Sequence, residues 1–409
     1  MADQYTFIEG GIVAAQGFKA AGEHLGIRKN RTKRDTALIV SDAPCAAACC
    51  YTQNLVQGAP IAVTRAHVQN GYARAIICNS GNANTCNWNG VEIAEGMSAL
   101  VEAHTGVNAA DVIVASTGVI GQEMSLAPFE SGMAGLAAAL RPNGGHDAAE
   151  AIMTTDTVAK EVAVSFMLGG KVCKLGGISK GSGMIHPNMA TMLCFVTTDA
   201  AIAPAPLRTA LSAVVKDTFN MLSIDGDTST NDMISVLANG AAGNPPVTEA
   251  AGADYEAFKA ALQAVCEKLC RIMAKDGEGA TKLIACTVTG AADKCTAQKV
   301  AKSVICSSLL KAAVFGADAN WGRVLCAIGY SGADVDVSKI DVQFESRAGA
   351  VPVCKAGSGI PFSEELAKTV LSEDEIDIAV QLHMGAAAAT AWGCDLTYDY
   401  VRINGDYRT

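Results

Sequence analysis

The segment Thr191-Met-Leu-Cys-Phe-Val-Thr-Thr198 constrains the fold more than any other stretch. Successive side chains of a strand point to opposite faces, so a run that is apolar at consecutive positions must be covered on both sides. The chain must therefore build layers around this strand. A glycine-rich stretch, residues 176–183 (GGISKGSG), and then Met-Ile-His-Pro-Asn-Met-Ala precede it. Thr191 thus stands where an irregular loop is expected to enter a buried strand.

Material for such layers is ample. Half of the 409 residues are apolar and 18% are charged, which excludes a disordered chain and suits two or three structural units. No run of about 18 apolar residues is present, so no membrane-spanning helix is expected. The net charge of −10, with scattered Lys and Arg, argues against nucleic acid as a partner. The first residues show neither a basic n-region nor an apolar core, so no signal peptide is expected. Fifteen cysteines, an odd number with apolar neighbours, read as reduced side chains in a cytoplasmic protein.

Short apolar runs at 37–40, 61–63, 75–78 and 112–115 read as strands, and 91–104 and 126–140 as helices. Residues 161–173 read as a hairpin turning at Gly169-Gly170. Helical spacing recurs over 204–217 and 255–275. In the second of these, Phe258, Leu262, Val265, Leu269 and Ile272 form one stripe, and Glu278 follows in the exit loop. Residues 397–403 alternate like a strand. Pro245-Pro246 is the best boundary signal in the second half.

Familiar motifs fail on their context. Gly177-Ile-Ser179-Lys-Gly181 matches a nucleophile elbow but opens no helix. Residues 176–183 lack the spacing of a phosphate loop. Residues 225–236 lack the Gly and Glu of a calcium loop, so turns built by Asx side chains are expected there. Ser308 and Lys311 match SxxK without its companion motifs. Cys266 and Cys270 read as core, and the six histidines show no metal spacing.

One chemistry remains. A threonine at a chain terminus can use its own α-amine, pKa about 7.7–8.0, as the base that activates its hydroxyl. Such a terminus forms inside a chain when the hydroxyl attacks the preceding carbonyl and water opens the resulting ester. Ala190 is small, the preceding loop can bend, and β-branched Thr191 is stiff. The residues allow this reading without requiring it.

Longer motifs decide the matter. KGSGMIHPNMATMLCFVTTDA from Lys180 resembles the self-cleavage region of the glutamate N-acetyltransferase (ornithine acetyltransferase) family. GGIVAAQGFKAAG, NSGNAN, STGVIG, MTTDT, SIDGDTSTND, DGEGATK, FGADANWGR and YVRINGDYRT match in order, across essentially the whole chain. The sequence departs from the family at His186 and at the TCNWNG that follows NSGNAN.

The resemblance implies an α+β fold, a mixed αββα-type layered sandwich with a self-cleaved N-terminal-threonine nucleophile. It implies an α chain, 1–190, and a β chain, 191–409, separated between Ala190 and Thr191 but sharing one core, assembled as an α2β2 heterotetramer. Thr191 would carry the acyl group, with the Thr117 hydroxyl and the Gly118 N–H as oxyanion donors. Thr154 (with Thr155 its nearest rival), Lys180, Glu278, Asn404 and Thr409 would contact substrate. The implied reaction moves acetyl from N2-acetylornithine to glutamate, giving ornithine and N-acetylglutamate in arginine biosynthesis. It needs no cofactor or metal, and acetyl-CoA is a donor for some members. A self-processing amidohydrolase or aminopeptidase with water as acceptor is the alternative, and an amino-acid-binding or scaffold protein, with Thr191 merely structural, is the non-enzyme rival.

Overall fold

The computed structural model describes residues 5–186 and 192–406. Ala190, Thr191 and Thr409 lie outside the described residues. The chain divides into two compact units; it passes between them more than once, the last time within a single long helix.

The first unit is built on a nine-stranded mixed sheet. Its strands are β1 (Tyr5–Ile8), β2 (Phe18–Glu23), β3 (Thr36–Tyr51), β4 (Tyr72–Asn79), β5 (Val112–Ser116), β6 (Lys160–Leu168), β7 (Lys171–Lys180), β8 (Leu193–Thr198) and, after the short β9 (Leu222–Ser223) of the second unit, β10 (Met233–Ala238). They run in the order β1-β6-β7-β8-β10-β3-β4-β5, with β2 also paired to β3. Helices α1 (Ala59–His67), α2 (Gly90–Thr105), α3 (Ala127–Ala138), α4 (Gly145–Ile152), α5 (Pro204–Asp217) and α6 (Ala253–Lys275) accompany it.

The alternation of β3, β4 and β5 feeds two separate cores. Ile39, Ile76, Cys78, Ile113 and Ala115 pack with Ala148, Ala151 and Ile152 of α4. Leu38, Ala75, Ile77, Val112 and Val114 pack with Met97 and Val101 of α2 and Phe129 and Met133 of α3. Every residue of β8 is buried, as its composition requires. β8 lies antiparallel to β7 and parallel to β10, which in turn pairs with β3. Residues before and after position 190 therefore share one sheet.

The second unit holds a seven-stranded sheet ordered β14-β13-β12-β15-β11-β16-β9. It comprises β11 (Leu283–Ala291), β12 (Asp341–Ser346), β13 (Gly349–Lys355), β14 (Ser358–Gly359), β15 (Glu375–Gln381) and β16 (Ala387–Cys394). Helices α7 (Lys294–Cys306), α8 (Ser308–Phe315), α9 (Trp321–Gly329), α10 (Glu364–Leu371) and α11 (Tyr398–Gly405) complete it. Two sheets with helices give the mixed αβ class expected from the motifs. No described helix is long and apolar enough to cross a membrane.

Four expectations need correction. Residues 61–63 lie in α1, because Gly58 and Pro60 start a helix and three apolar residues cannot distinguish helix from strand. Residues 397–403 belong to α11 with Thr397 at its N-cap; Tyr398 and Val401 are exposed, so the alternation marked no sheet face. β7 continues through Gly176-Gly177 to Lys180 instead of ending in a loop. A Cβ on Gly176 would run into the Gly11 carbonyl, so this glycine serves close backbone packing. Pro245-Pro246 lies inside the first unit and marks no boundary.

Candidate active site

In the first unit, β5 delivers Ser116 to a turn that leads into Thr117 and Gly118. The Thr117 N–H donates to the Asn79 carbonyl at 2.9 Å, and the Asn79 amide donates to Ser116 Oγ at 2.7 Å. Asn79 Oδ1 accepts the N–H groups of Gly81 and Asn82, both at 3.0 Å. These bonds fix the 79–82 turn against the 116–118 turn. Gly118 has φ +128°, and a Cβ there would stand 2.8 Å from the Gly81 carbonyl carbon. Only glycine fits that conformation and that gap. Among the described residues the Gly118 N–H has no hydrogen bond, which leaves a fixed donor available to a ligand.

Lys180 closes β7 and is 8% exposed, opposite Leu193, the first residue of β8. Its Nζ donates to Thr117 Oγ1 at 3.4 Å. Position 180 is therefore held by a strand paired on both sides. Beneath it lies Asp156, whose Oδ1 accepts Lys160 Nζ at 2.6 Å and the Gly181 N–H at 2.7 Å. Asp156 Oδ2 accepts the Thr154 N–H at 2.9 Å. One carboxylate thus ties together Thr154, the end of β7 and a fully buried lysine. Burial pushes the Asp156 carboxyl up, but Lys180 and Lys160 outweigh it and hold it well below the usual carboxylate range. Burial pushes the Lys180 ammonium down, against the pull of Asp156.

Asp232 completes the charge cluster. It immediately precedes Met233 of β10, which pairs with Leu193. It is 2% exposed, and its Oδ2 has no hydrogen-bond partner. Burial drives its carboxyl well above the ordinary range, with Ser229 and Lys180 opposing.

In the second unit, Glu278 follows α6 and is 8% exposed. Its N–H donates to the Ser182 carbonyl at 2.8 Å, and its Oε2 accepts the Asn404 amide at 2.8 Å. A Cβ on Gly183 would land on the Glu278 carboxyl group, so glycine at 183 makes room for it. Asn404 lies on α11, whose N-cap Thr397 donates to the Gly279 carbonyl at 2.6 Å. Nearby, Asp225 accepts the N–H groups of Met184 and Ile185 and the hydroxyl of Tyr400. Asp225 also accepts the Asp227 N–H at 3.3 Å, the Asx turn expected in place of a calcium loop.

The fold therefore groups Thr117, Gly118, Thr154 and Lys180 in the first unit and joins Glu278 to Asn404 in the second. Ser179 is buried near the end of β7, paired on both sides, and not on an elbow. Ser308 is exposed, and Lys311 is buried against the Ile224 carbonyl, so that pair forms no nucleophile and base. Cys266 and Cys270 are fully buried, and no group of three metal-ligating side chains occurs among the described residues. Sequence reasoning missed Asp156, Lys160 and Asp232. The pair Asp156 and Lys160, opposite charges four apart leading into the apolar strand β6, was the available signal, since charges beside a buried strand need partners.

A buried lysine beside a free backbone donor, on strand ends, is an arrangement that can hold an anion. The comparisons with known proteins agree in class. The ArgJ family model matches residues 19–409. The protein named arginine biosynthesis bifunctional protein ArgJ of Symbiobacterium thermophilum is 51% identical over 405 residues, 98% of this chain and 100% of that one. ArgJ 1 of Clostridium acetobutylicum, of the same name, is 49% identical over 96% of each chain. A crystal structure of the Bacillus halodurans protein argJ matches 52% of this chain and 98% of its own, at 50% identity and a TM-score of 0.49. The chain belongs to the ArgJ family.

Proposed function

We propose that this protein transfers the acetyl group of N2-acetylornithine to glutamate, releasing ornithine and N-acetylglutamate for arginine biosynthesis in the cytoplasm. Family membership across residues 19–409 is the observation that carries the reading. The buried Lys180 and the free Gly118 donor support it independently.

In this reading the chain cuts itself between Ala190 and Thr191, and the products assemble as α2β2. Thr191 is joined through Met192 alone to Leu193, the residue paired with Lys180. Its α-amine takes the hydroxyl proton as the oxygen attacks the acetyl carbonyl. The Thr117 hydroxyl and Gly118 N–H receive the charge that develops on the carbonyl oxygen; one such donor is worth roughly 2.7–4 kcal/mol. Ornithine leaves, the amine of glutamate attacks the acetyl-Thr191 ester, and the hydroxyl is restored. Lys180 pairs with the substrate carboxylate and Glu278 with an ammonium, steadied by Asn404. Thr154 and Thr409 add hydrogen bonds. No cofactor or metal takes part, and acetyl-CoA serves as a second acetyl donor.

The test is donor and acceptor dependence. Purified protein is incubated with N2-acetylornithine, with and without glutamate. N-Acetylglutamate formation that requires glutamate supports transfer. Acetate released at the same rate in its absence would replace the reading with a self-processing amidohydrolase.

A further inference from the structure

Cations are sparse in this acidic chain except at residues 28–34, Arg-Lys-Asn-Arg-Thr-Lys-Arg, where five of seven residues are basic. The loop is a built feature. Asp35, fully buried, accepts the N–H groups of Leu25, Gly26 and Arg28 at 2.8, 3.2 and 3.0 Å. Asn30 Oδ1 accepts the N–H and hydroxyl of Thr32. The two end cations are occupied. Arg34 pairs with Asp147 at 2.8 Å and Glu150 at 3.2 Å. Arg28 donates to the Ser80 carbonyl through Nε and Nη2, at 3.0 and 2.7 Å, and to the Met153 carbonyl.

Those two carbonyls adjoin the site. Met153 precedes Thr154, and Ser80 lies in the turn that braces Thr117. Gly81 is the shared piece: a Cβ on it would strike Ile27, the residue that leads into the basic loop, and a Cβ on Gly118 would strike Gly81 itself. The loop is thus packed one residue away from the oxyanion glycine. Between its occupied ends, Lys29, Arg31 and Lys33 are exposed, and their side chains make no ion pair with the described residues. Three unneutralised cations on a pinned backbone, in a chain of net charge −10, form a local attractor for a polyanion.

We propose that Lys29, Arg31 and Lys33 dock the phosphates of a coenzyme A thioester, so that its acetyl group enters the Thr117 and Gly118 site. The proposal rests on the acyl-transfer reading above and adds where the second donor is held. The Thr191 oxygen bonds to the thioester carbonyl carbon, the carbon–sulfur bond breaks, and the hydroxyl proton passes to sulfur. The products are acetyl-Thr191 and free coenzyme A. N2-Acetylornithine carries no phosphate, so its use does not depend on the loop.

The test uses the full-length enzyme and the triple variant K29S/R31S/K33S, none of whose positions touches the site. Kinetics are measured with acetyl-CoA and, separately, with N2-acetylornithine, glutamate being the acceptor in both. Coenzyme A binding is measured by calorimetry at two salt concentrations. The expected result is a KM for acetyl-CoA raised about tenfold, at unchanged kcat, since three charge contacts to phosphate are lost together. Both constants for N2-acetylornithine should stay within about twofold, and coenzyme A should bind more weakly with a shallower salt dependence.

Unchanged acetyl-CoA kinetics and coenzyme A affinity would overturn the proposal, as would equal damage to both donors. A wild type that uses N2-acetylornithine but neither uses acetyl-CoA nor binds coenzyme A would overturn it while leaving the transfer reading intact. A wild type active with neither donor would defeat the transfer reading. The calorimetry would then judge the loop alone: binding lost in the triple variant supports the site, and unchanged or absent binding rejects it.

Discussion

Replacing Asp156 by Asn tests how the site is held in place. Asp156 and Lys160 are both fully buried at the side chain and meet at 2.6 Å. Asn preserves the shape and one acceptor but removes the counter-charge, leaving the buried Lys160 ammonium without its carboxylate partner. Breaking a buried pair in this way costs about 3–5 kcal/mol. The Gly181 and Thr154 N–H groups bond different carboxylate oxygens, so in Asn only one keeps an acceptor and the other faces the amide NH2; Lys180 and Thr154 should also shift and KM should rise. Urea unfolding of wild type, D156N and D156N/K160M at neutral pH is the assay. Adding K160M removes the stranded charge and should restore most of the lost stability. The pH dependence has a definite sign. The folded carboxyl is held below its unfolded value of about 3.9, so its contribution is present above that pH and lost as pH falls through the folded value. Wild type should therefore lose stability in acid more steeply than D156N. A D156N protein within about 1 kcal/mol of wild type, with no relief from K160M, would refute the reasoning.

Other substitutions separate the roles. Thr117→Ala should leave the fold intact and lower kcat roughly 10²–10³-fold, read by steady-state transfer. Gly118→Ala should also destabilise the protein, because its φ of +128° and the 2.8 Å approach of Gly81 exclude a side chain; thermal unfolding separates it from Thr117→Ala. Lys180→Met should raise KM for glutamate about 10–100-fold, the value of a charge-assisted hydrogen bond, with a smaller change in kcat. Glu278→Gln retains an acceptor for Asn404 but loses the charge. It should raise KM for N2-acetylornithine about tenfold without changing the urea midpoint.

Much of the architecture was legible from residue pattern. The doubly apolar β8, the hairpin at Gly169-Gly170 and the limits of α5 followed from periodicity and turn chemistry. So did the buried stripe of α6, in which Phe258, Leu262, Val265 and Leu269 are fully buried and Ile272 is half-buried. Thr117, Gly118, Thr154, Lys180, Glu278 and Asn404 came from motif resemblance, since singly each would read as an ordinary polar or turn residue. Context hid the rest. Gly176 and Gly177 look like loop residues until the neighbouring backbones that need their bareness are seen. Residues 397–403 alternate by coincidence on an exposed helix. Asp156 and Lys160 pair locally, but Lys180 and Asp232 come to one end of the sheet only through strand register, which local sequence does not specify.

The central claim is that the acetyl group rides on a threonine freed by self-cleavage. Intact-mass analysis under denaturing conditions, after brief exposure to N2-acetylornithine without glutamate and an acid quench, addresses it directly. The account predicts two chains, one ending at Ala190 and one beginning at Thr191. The second should carry one acetyl group on Thr191 and lose it when glutamate is added; Thr191→Ala should give one unmodified chain. An uncut polypeptide that still transfers acetyl, or an active cut enzyme whose Thr191 never becomes acetylated, would contradict it.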